Sequence, residues 1–127
     1  MKPRPRRAPV GADERRKRLR RGRLAEWMAA AALMAKGYII IGRNVKTRAG
    51  EIDIIAVRGK RVAFVEVKRR LTDEAAEAAV GGRQAARIRS AADYWLAQRP
   101  RYHEYEQGFD LMLLVPRRWP RHIENGL

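Results

Sequence analysis

Asp53 and the triplet Glu66-Val67-Lys68 carry the residue types this chain would need for hydrolytic chemistry, and twelve residues separate Asp53 from Glu66. They lie in two adjacent runs, Gly50-Glu51-Ile52-Asp53-Ile54-Ile55-Ala56-Val57 and Val62-Ala63-Phe64-Val65-Glu66-Val67-Lys68. Both runs have the period-two alternation of a strand. Only Arg58-Gly59-Lys60-Arg61 lies between them, which predicts an antiparallel hairpin turning at Gly59-Lys60. With Arg58 opposite Arg61, Asp53 falls opposite Glu66 and Glu51 opposite Lys68. Residues two apart share a face, so all four side chains point the same way.

Directly opposed side chains on a sheet have Cβ atoms about 4.5–5.5 Å apart, and like charges there are destabilising. Three carboxylates and one ammonium in so small a patch are hard to explain as packing. A divalent cation between Asp53 and Glu66 removes the conflict, and oxygen ligands of this kind suit Mg²⁺ or Mn²⁺. Lys68 would bring a fixed positive charge to the same space. The competing account is a solvated strand face with a Glu51–Lys68 salt bridge. A three-residue turn would break the register and send Asp53 and Glu66 to opposite faces.

Other elements must hold this hairpin. Helical patterning runs from about Asp13 to Ala35, with Gly37 as a stop and four alanines, Ala29 to Ala32, that allow close packing on a sheet. A strand is predicted over Tyr38 to Val45, then a turn at Thr47 to Gly50. A short helix over Thr72 to Val80 would be capped by Thr72 or Asp73 and broken by Gly81-Gly82. A second long helix spans about Arg83 to Gln98, with Ile88, Ala91, Ala92, Trp95 and Leu96 as its apolar stripe. Strands over Phe109 to Val115 and His122 to Glu124 complete an α/β layer with a mixed sheet. Three further polar residues have two readings each. Glu26 sits in the most apolar stretch of the first helix, either at a site or on a solvated face. Gln84 lies one turn before Ile88, either inward or as a polar helix start. Asp110 opens an apolar strand, as a strand-end residue or as support for a site.

The 127 residues make one domain large enough to bury a core, and the net charge is +15. Met1 to Arg23 holds eleven Lys or Arg against Asp13 and Glu14. Pro3, Pro5 and Pro9 lie in this stretch, so residues 1–12 read as a basic flexible arm and 13–127 as the domain. Such a basic excess attracts polyanions, nucleic acid foremost. The absence of Cys excludes disulfides and thiolate metal sites, and His103 and His122 are in no zinc-ligand spacing. The apolar run Leu24 to Ala35 is interrupted by Glu26 and is too short to span a membrane. The expectation is a cytoplasmic protein with no membrane partner.

A helix Glu, a strand Asp, Glu-x-Lys on the next strand and a helix Gln together resemble the PD-(D/E)XK nuclease superfamily, with Ile52 in place of its Pro. Gly50-Glu51-Ile52-Asp53-Ile54-Ile55-Ala56, Val65-Glu66-Val67-Lys68-Arg69-Arg70, Phe109-Asp110 and His122-Ile123-Glu124-Asn125 resemble more closely the YraN-like bacterial family. That family has an endonuclease-like fold and is similar to archaeal Holliday-junction resolvases. Gly126-Leu127 stands where it usually ends in Ala-Phe. The resemblance implies a three-layer restriction-endonuclease-like fold with a mixed central sheet flanked by helices, in the order α-β-β-β-α-β-β. It also implies Mg²⁺- or Mn²⁺-dependent hydrolysis of DNA, including branched or structured DNA, by Glu26, Asp53, Glu66, Lys68 and Gln84.

In that scheme Asp53, Glu66 and the Val67 carbonyl hold the metal. Arg69, Arg70, Arg83 and Arg87 hold the phosphate backbone, and Glu51 and Asp110 give support. A homodimer follows from the two symmetric cuts of a four-way junction. Two alternatives stand beside this reading: a catalytically silent nucleic-acid-binding module of the same fold, and a basic RNA- or ribosome-associated adaptor acting through its arm.

Overall fold

The computed structural model describes residues 10–81 and 85–127, with side chains of the first helix described from residue 22. In chain order the elements are α1 (Val10–Ala35), β1 (Ile39–Thr47), β2 (Gly50–Arg58), β3 (Arg61–Arg69), α2 (Asp73–Ala79), α3 (Ala85–Ala97), a 3₁₀ turn (Pro100–Tyr102), β4 (Glu106–Leu114) and β5 (Arg121–Ile123). The expected mixed α/β architecture is present. Five strands lie in sequence order, antiparallel except for the parallel pair β3–β4. Helix α1 begins three residues earlier than its pattern predicts, so the arm boundary at residue 12 falls inside it; residues 1–9 lie outside the described residues. Strand β4 also begins three residues early, at Glu106.

Strand alternation divides the core into two layers. Ala63 and Val65 of β3 face α1, where they pack with Ala25, Ala29, Ala30, Ala32 and Leu33. Three of the four consecutive alanines are buried there, as close packing requires. Val62 and Phe64 face the other way and meet Ile88, Ala91, Ala92, Trp95 and Leu96, the apolar stripe of α3. Phe64 is fully buried and stacks on Phe109. Complete burial of one such side chain contributes about 1.5–3 kcal/mol. Thr72 caps α2 through its side-chain oxygen, which accepts from the Ala75 N–H at 3.1 Å.

The α1 face of β3 and β4 carries a buried polar cluster. Arg61 donates to both Asp110 oxygens, at 2.7 and 2.8 Å, and to the Tyr38 hydroxyl at 3.1 Å. Asp110 is fully buried. It also lies 2.7 Å from His122 Nε2 and accepts the Asn125 N–H at 2.9 Å. Burial works against its ionisation. The hydrogen bonds from Arg61, His122 and the Asn125 backbone, with the Arg61 charge, outweigh burial and hold it down at about 2. The same partner pushes Arg61 further up.

Gly108 makes room for this pair. A Cβ there would stand 2.1 Å from Arg61 Nη2 and 2.4 Å from its Cζ. Gly108→Ala must therefore push the guanidinium off a carboxylate that has no water to turn to. We expect a loss of about 2–4 kcal/mol, somewhat below the about 3–5 kcal/mol for removing one partner of a buried charged pair, because both charges stay within reach. A chemical denaturation midpoint unchanged from the parent would refute it.

Candidate acidic site at the β2–β3 fork

The hairpin forms as its sequence predicts and then departs from the ideal at the point where the carboxylates gather. Gly59 adopts φ +58° at the turn, and Arg58 pairs with Arg61. The ladder continues through Ile54 and Val65 and stops there. One more hydrogen-bonded pair would have joined Ile52 to Val67. Instead the Val67 N–H donates to Asp53 Oδ2 at 2.8 Å. A carboxylate has taken the place of a main-chain carbonyl, and the two strands open into a fork. A strand residue turns its N–H and C=O toward the same neighbour, so the Val67 carbonyl also faces this opening.

A cavity of about 120 Å³ lies in the fork, lined by Glu51, Asp53, Glu66, Arg87 and Ile88. Asp53 and Glu66 thus border one space, from adjacent strands. Glu66 Oε1 pairs with Lys68 Nζ at 3.1 Å, a same-face neighbour two residues on, in place of the cross-strand Glu51–Lys68 bridge. Glu66 Oε2 is buried with no hydrogen-bond partner. Such an orphaned acceptor normally costs about 1–3 kcal/mol, more if charged. Arg87 and Ile88 of α3 complete the lining.

Glu26 approaches from α1, where Asn44 Nδ2 donates to its Oε2 at 2.7 Å. Asn44 has φ +51°, a left-handed conformation that Asn tolerates better than most residues. The strand reading of β1 passed over Asn44. The signal for it is an Asn within a predicted strand, a residue depleted there and favoured at irregularities.

The electrostatics agree with this crowding. Asp53 is raised from 3.8 to about 6. Burial is the main cause; the Val67 N–H opposes it, and the charges of Glu66, Glu26 and Glu51 add to it in that order. The folded state therefore binds this proton more tightly than the unfolded chain. Its ionised carboxylate destabilises the fold above pH 6, and that cost disappears as the pH falls from 6 to about 4. A shift of two units corresponds to about 3 kcal/mol before solvent screening. We expect Asp53→Asn to be more stable than the parent at pH 7.5 in chelator, by about 1–3 kcal/mol, with the gap closing near pH 4. Parallel stability curves for the two proteins across that range would rule this out.

The remaining sequence candidates fall in different places. Arg69 and Arg70 follow the fork at the end of β3, beside a larger groove that includes Leu24 and Met28 of α1. Asp110 is removed from the site. It pairs with Val65 in the β3–β4 register, one residue from Glu66 and hence on the opposite face of the sheet, and its acceptor positions serve Arg61, His122 and Asn125. Its hydrogen bonds tie β4 to Arg61 of β3 and to the closing segment around β5. Arg83 and Gln84 lie outside the described residues. Among the described residues, no three His, Asp or Glu side chains converge as a ready metal shell. Two carboxylates with a free buried oxygen fit a hard divalent ion nonetheless, because Mg²⁺ commonly keeps several waters and takes only one or two carboxylates.

Fold and fork together define a small three-layer α/β protein with an acidic site where two central strands part. The chain belongs to the uncharacterised protein family UPF0102, whose family model matches residues 25–114, in accord with the YraN-like character of its motifs. It is 50% identical over 112 residues to a UPF0102 protein of Mesorhizobium japonicum, covering 88% of this chain and 90% of that one. A UPF0102 protein of Bradyrhizobium diazoefficiens is 49% identical over 114 residues, covering 90% and 86%. One of Maricaulis maris is 47% identical over 108 residues, covering 85% of each. Among the described residues no helix is long and apolar enough to cross a membrane.

Proposed function

We propose that this protein is a divalent-metal-dependent nuclease that hydrolyses phosphodiester bonds of DNA at the β2–β3 fork. The observation that carries the reading is the buried, partnerless Glu66 Oε2 beside an Asp53 whose proton is held to about pH 6. Evolved folds rarely leave an acceptor in that state unless something else completes it. Asp53, Glu66 and the Val67 carbonyl would hold the ion, Mg²⁺ or Mn²⁺. When bound, it supplies neutralisation of the anionic phosphodiester and a water of lowered pKa.

The chain's own groups do the rest. Lys68, fixed by Glu66, places a positive charge where the phosphoryl oxygens gain negative charge in the transition state. Glu26, steadied by Asn44, orients water from the α1 side, and Glu51 extends the anionic wall. Arg87, Arg69 and Arg70 would grip the phosphate backbone, positioning the strand without reading its sequence. Branched or otherwise structured DNA would be the substrate, cut by a homodimer in the cytoplasm.

A second reading is favoured by one specific observation. Lys68 already neutralises Glu66 at 3.1 Å, which would suit a binding module that performs no cleavage. A panel of linear, flap, single-stranded and four-way DNA, incubated with and without Mn²⁺, separates the two. Mn²⁺-dependent products on at least one substrate support the nuclease. Salt-sensitive binding to all of them with no products, at any metal concentration, leaves the silent module.

A further inference from the structure

We propose that a second groove, between the β1–β2 turn and α3, holds a single-stranded DNA segment leaving the acidic cavity, with one base stacked on Tyr94. The inference rests on the nuclease reading and deepens it by naming the strand form of the substrate.

The groove encloses about 500 Å³ and is lined by Lys46 and Arg48 on the β1–β2 side and by Tyr94, Trp95, Gln98 and Arg99 on the α3 side. Three of its lining side chains are cations and none is an acid. The groove adjoins the fork. Lys46 pairs with Glu51, and Thr47 with Gly50, across the β1–β2 ladder, so each pair has one member in each cavity or next to it. Arg87, on the wall of the acidic cavity, lies against Gly50, where an added Cβ would stand 3.2 Å from its Cγ. Along α3, Arg87 and Tyr94 are seven residues apart and share one helix face, and Gln98 follows directly after the helix end. At 1.5 Å per residue that face carries Tyr94 about 10 Å along the helix from Arg87.

Charge complementarity names a polyanion, and the aromatic ring narrows it further. Tyr94 is 51% exposed, unlike Trp95, which is 6% exposed beneath the Arg99 guanidinium at 4.5 Å. An exposed ring in a basic groove is the pairing that holds single strands, where phosphates meet cations and a base meets a π-face. Bases in a duplex already stack on one another and offer no face to Tyr94. An acidic peptide would satisfy the cations but gain nothing from the ring.

The test is binding of the full chain, in EDTA, to a labelled oligothymidylate and to a duplex of equal length. Tyr94→Ala is expected to weaken single-strand binding roughly tenfold, the scale of losing one stacked base, and to change duplex binding by less than about twofold. Tyr94→Phe, which keeps the ring, restores the single-strand affinity. Equal losses on both DNAs, or none on the single strand, overturn the proposal, as does polyglutamate competing as well as oligothymidylate. Because no cleavage is read, an inactive fork leaves this result standing, whereas an active fork with an indifferent Tyr94 overturns the groove alone.

Discussion

Glu66→Gln is expected to lower Mn²⁺-dependent cleavage by about a thousandfold or more while leaving DNA affinity within about threefold. The reasoning begins with one oxygen. Glu66 Oε2 is buried without a partner, and Oε1 is already held by Lys68. An amide presents a neutral group where a cation needs a charge, so the ion loses half of its carboxylate ligands. Metal stabilisation of a transition state amounts to several kcal/mol, and each 1.36 kcal/mol is a factor of about ten in rate. Binding should survive because the phosphate-gripping arginines are untouched. Asp53→Asn should lose cleavage similarly, and its gain in stability at neutral pH shows that the loss is not one of folding. If both variants cut as fast as the parent, the activity belongs to a contaminant and the fork is not a nuclease centre.

The second large effect concerns stability. Asp110→Ala is expected to cost about 3–5 kcal/mol, enough to lower the melting temperature by roughly 10 °C or more. It strands the buried Arg61 charge and removes the acceptor of the Asn125 N–H and of His122. The double change Arg61→Met with Asp110→Leu should recover much of that loss, since neither charge is then left alone. Asp110→Asn, assayed below its melting temperature, should retain the parent's cleavage rate per folded molecule. A collapse of that rate in a folded Asp110→Asn protein would return Asp110 to the catalytic machinery. Acid should mimic the alanine variant. With a folded-state pKa of about 2, Asp110 contributes stability that is full above about pH 4 and is lost as the pH falls toward 2. Asp53 moves in the opposite sense between pH 6 and 4.

Much of this could be read from the residues in order. The turn at Gly59-Lys60 and the pairing of Arg58 with Arg61 followed from local alternation and a two-residue loop, so the approach of Asp53 and Glu66 was legible. The parting of the strands beyond Ile54 and Val65 was not, because it depends on a side chain outcompeting a backbone carbonyl for the Val67 N–H. Asp110 shows the wider difficulty. Which face it occupies depends on a parallel register with β3 that joins Val65 to Asp110 across the two intervening helices, a pairing that local alternation does not specify. Its partners come from two distant segments: Arg61 opens β3, and His122 and Asn125 belong to the closing stretch around β5. The closing His122-Ile123-Glu124-Asn125 was visible as a motif, yet its task, clasping Asp110 and the Phe109 N–H, emerges only in three dimensions.

The parallel pairing of β3 with β4 also has a kinetic consequence. The β1–β2 and β2–β3 hairpins join near neighbours and can zip up locally, whereas Val65 meets Asp110 only after the intervening chain, with both shorter helices, has looped back. Closing so long a loop is entropically slow compared with a hairpin. We expect the meander to assemble first, with its like-charged carboxylates already close, and β4 docking to limit the rate. Refolding in stopped-flow should then be slowed by substitutions along β4, such as Leu111→Ala, more than by equally destabilising ones at the β2–β3 turn.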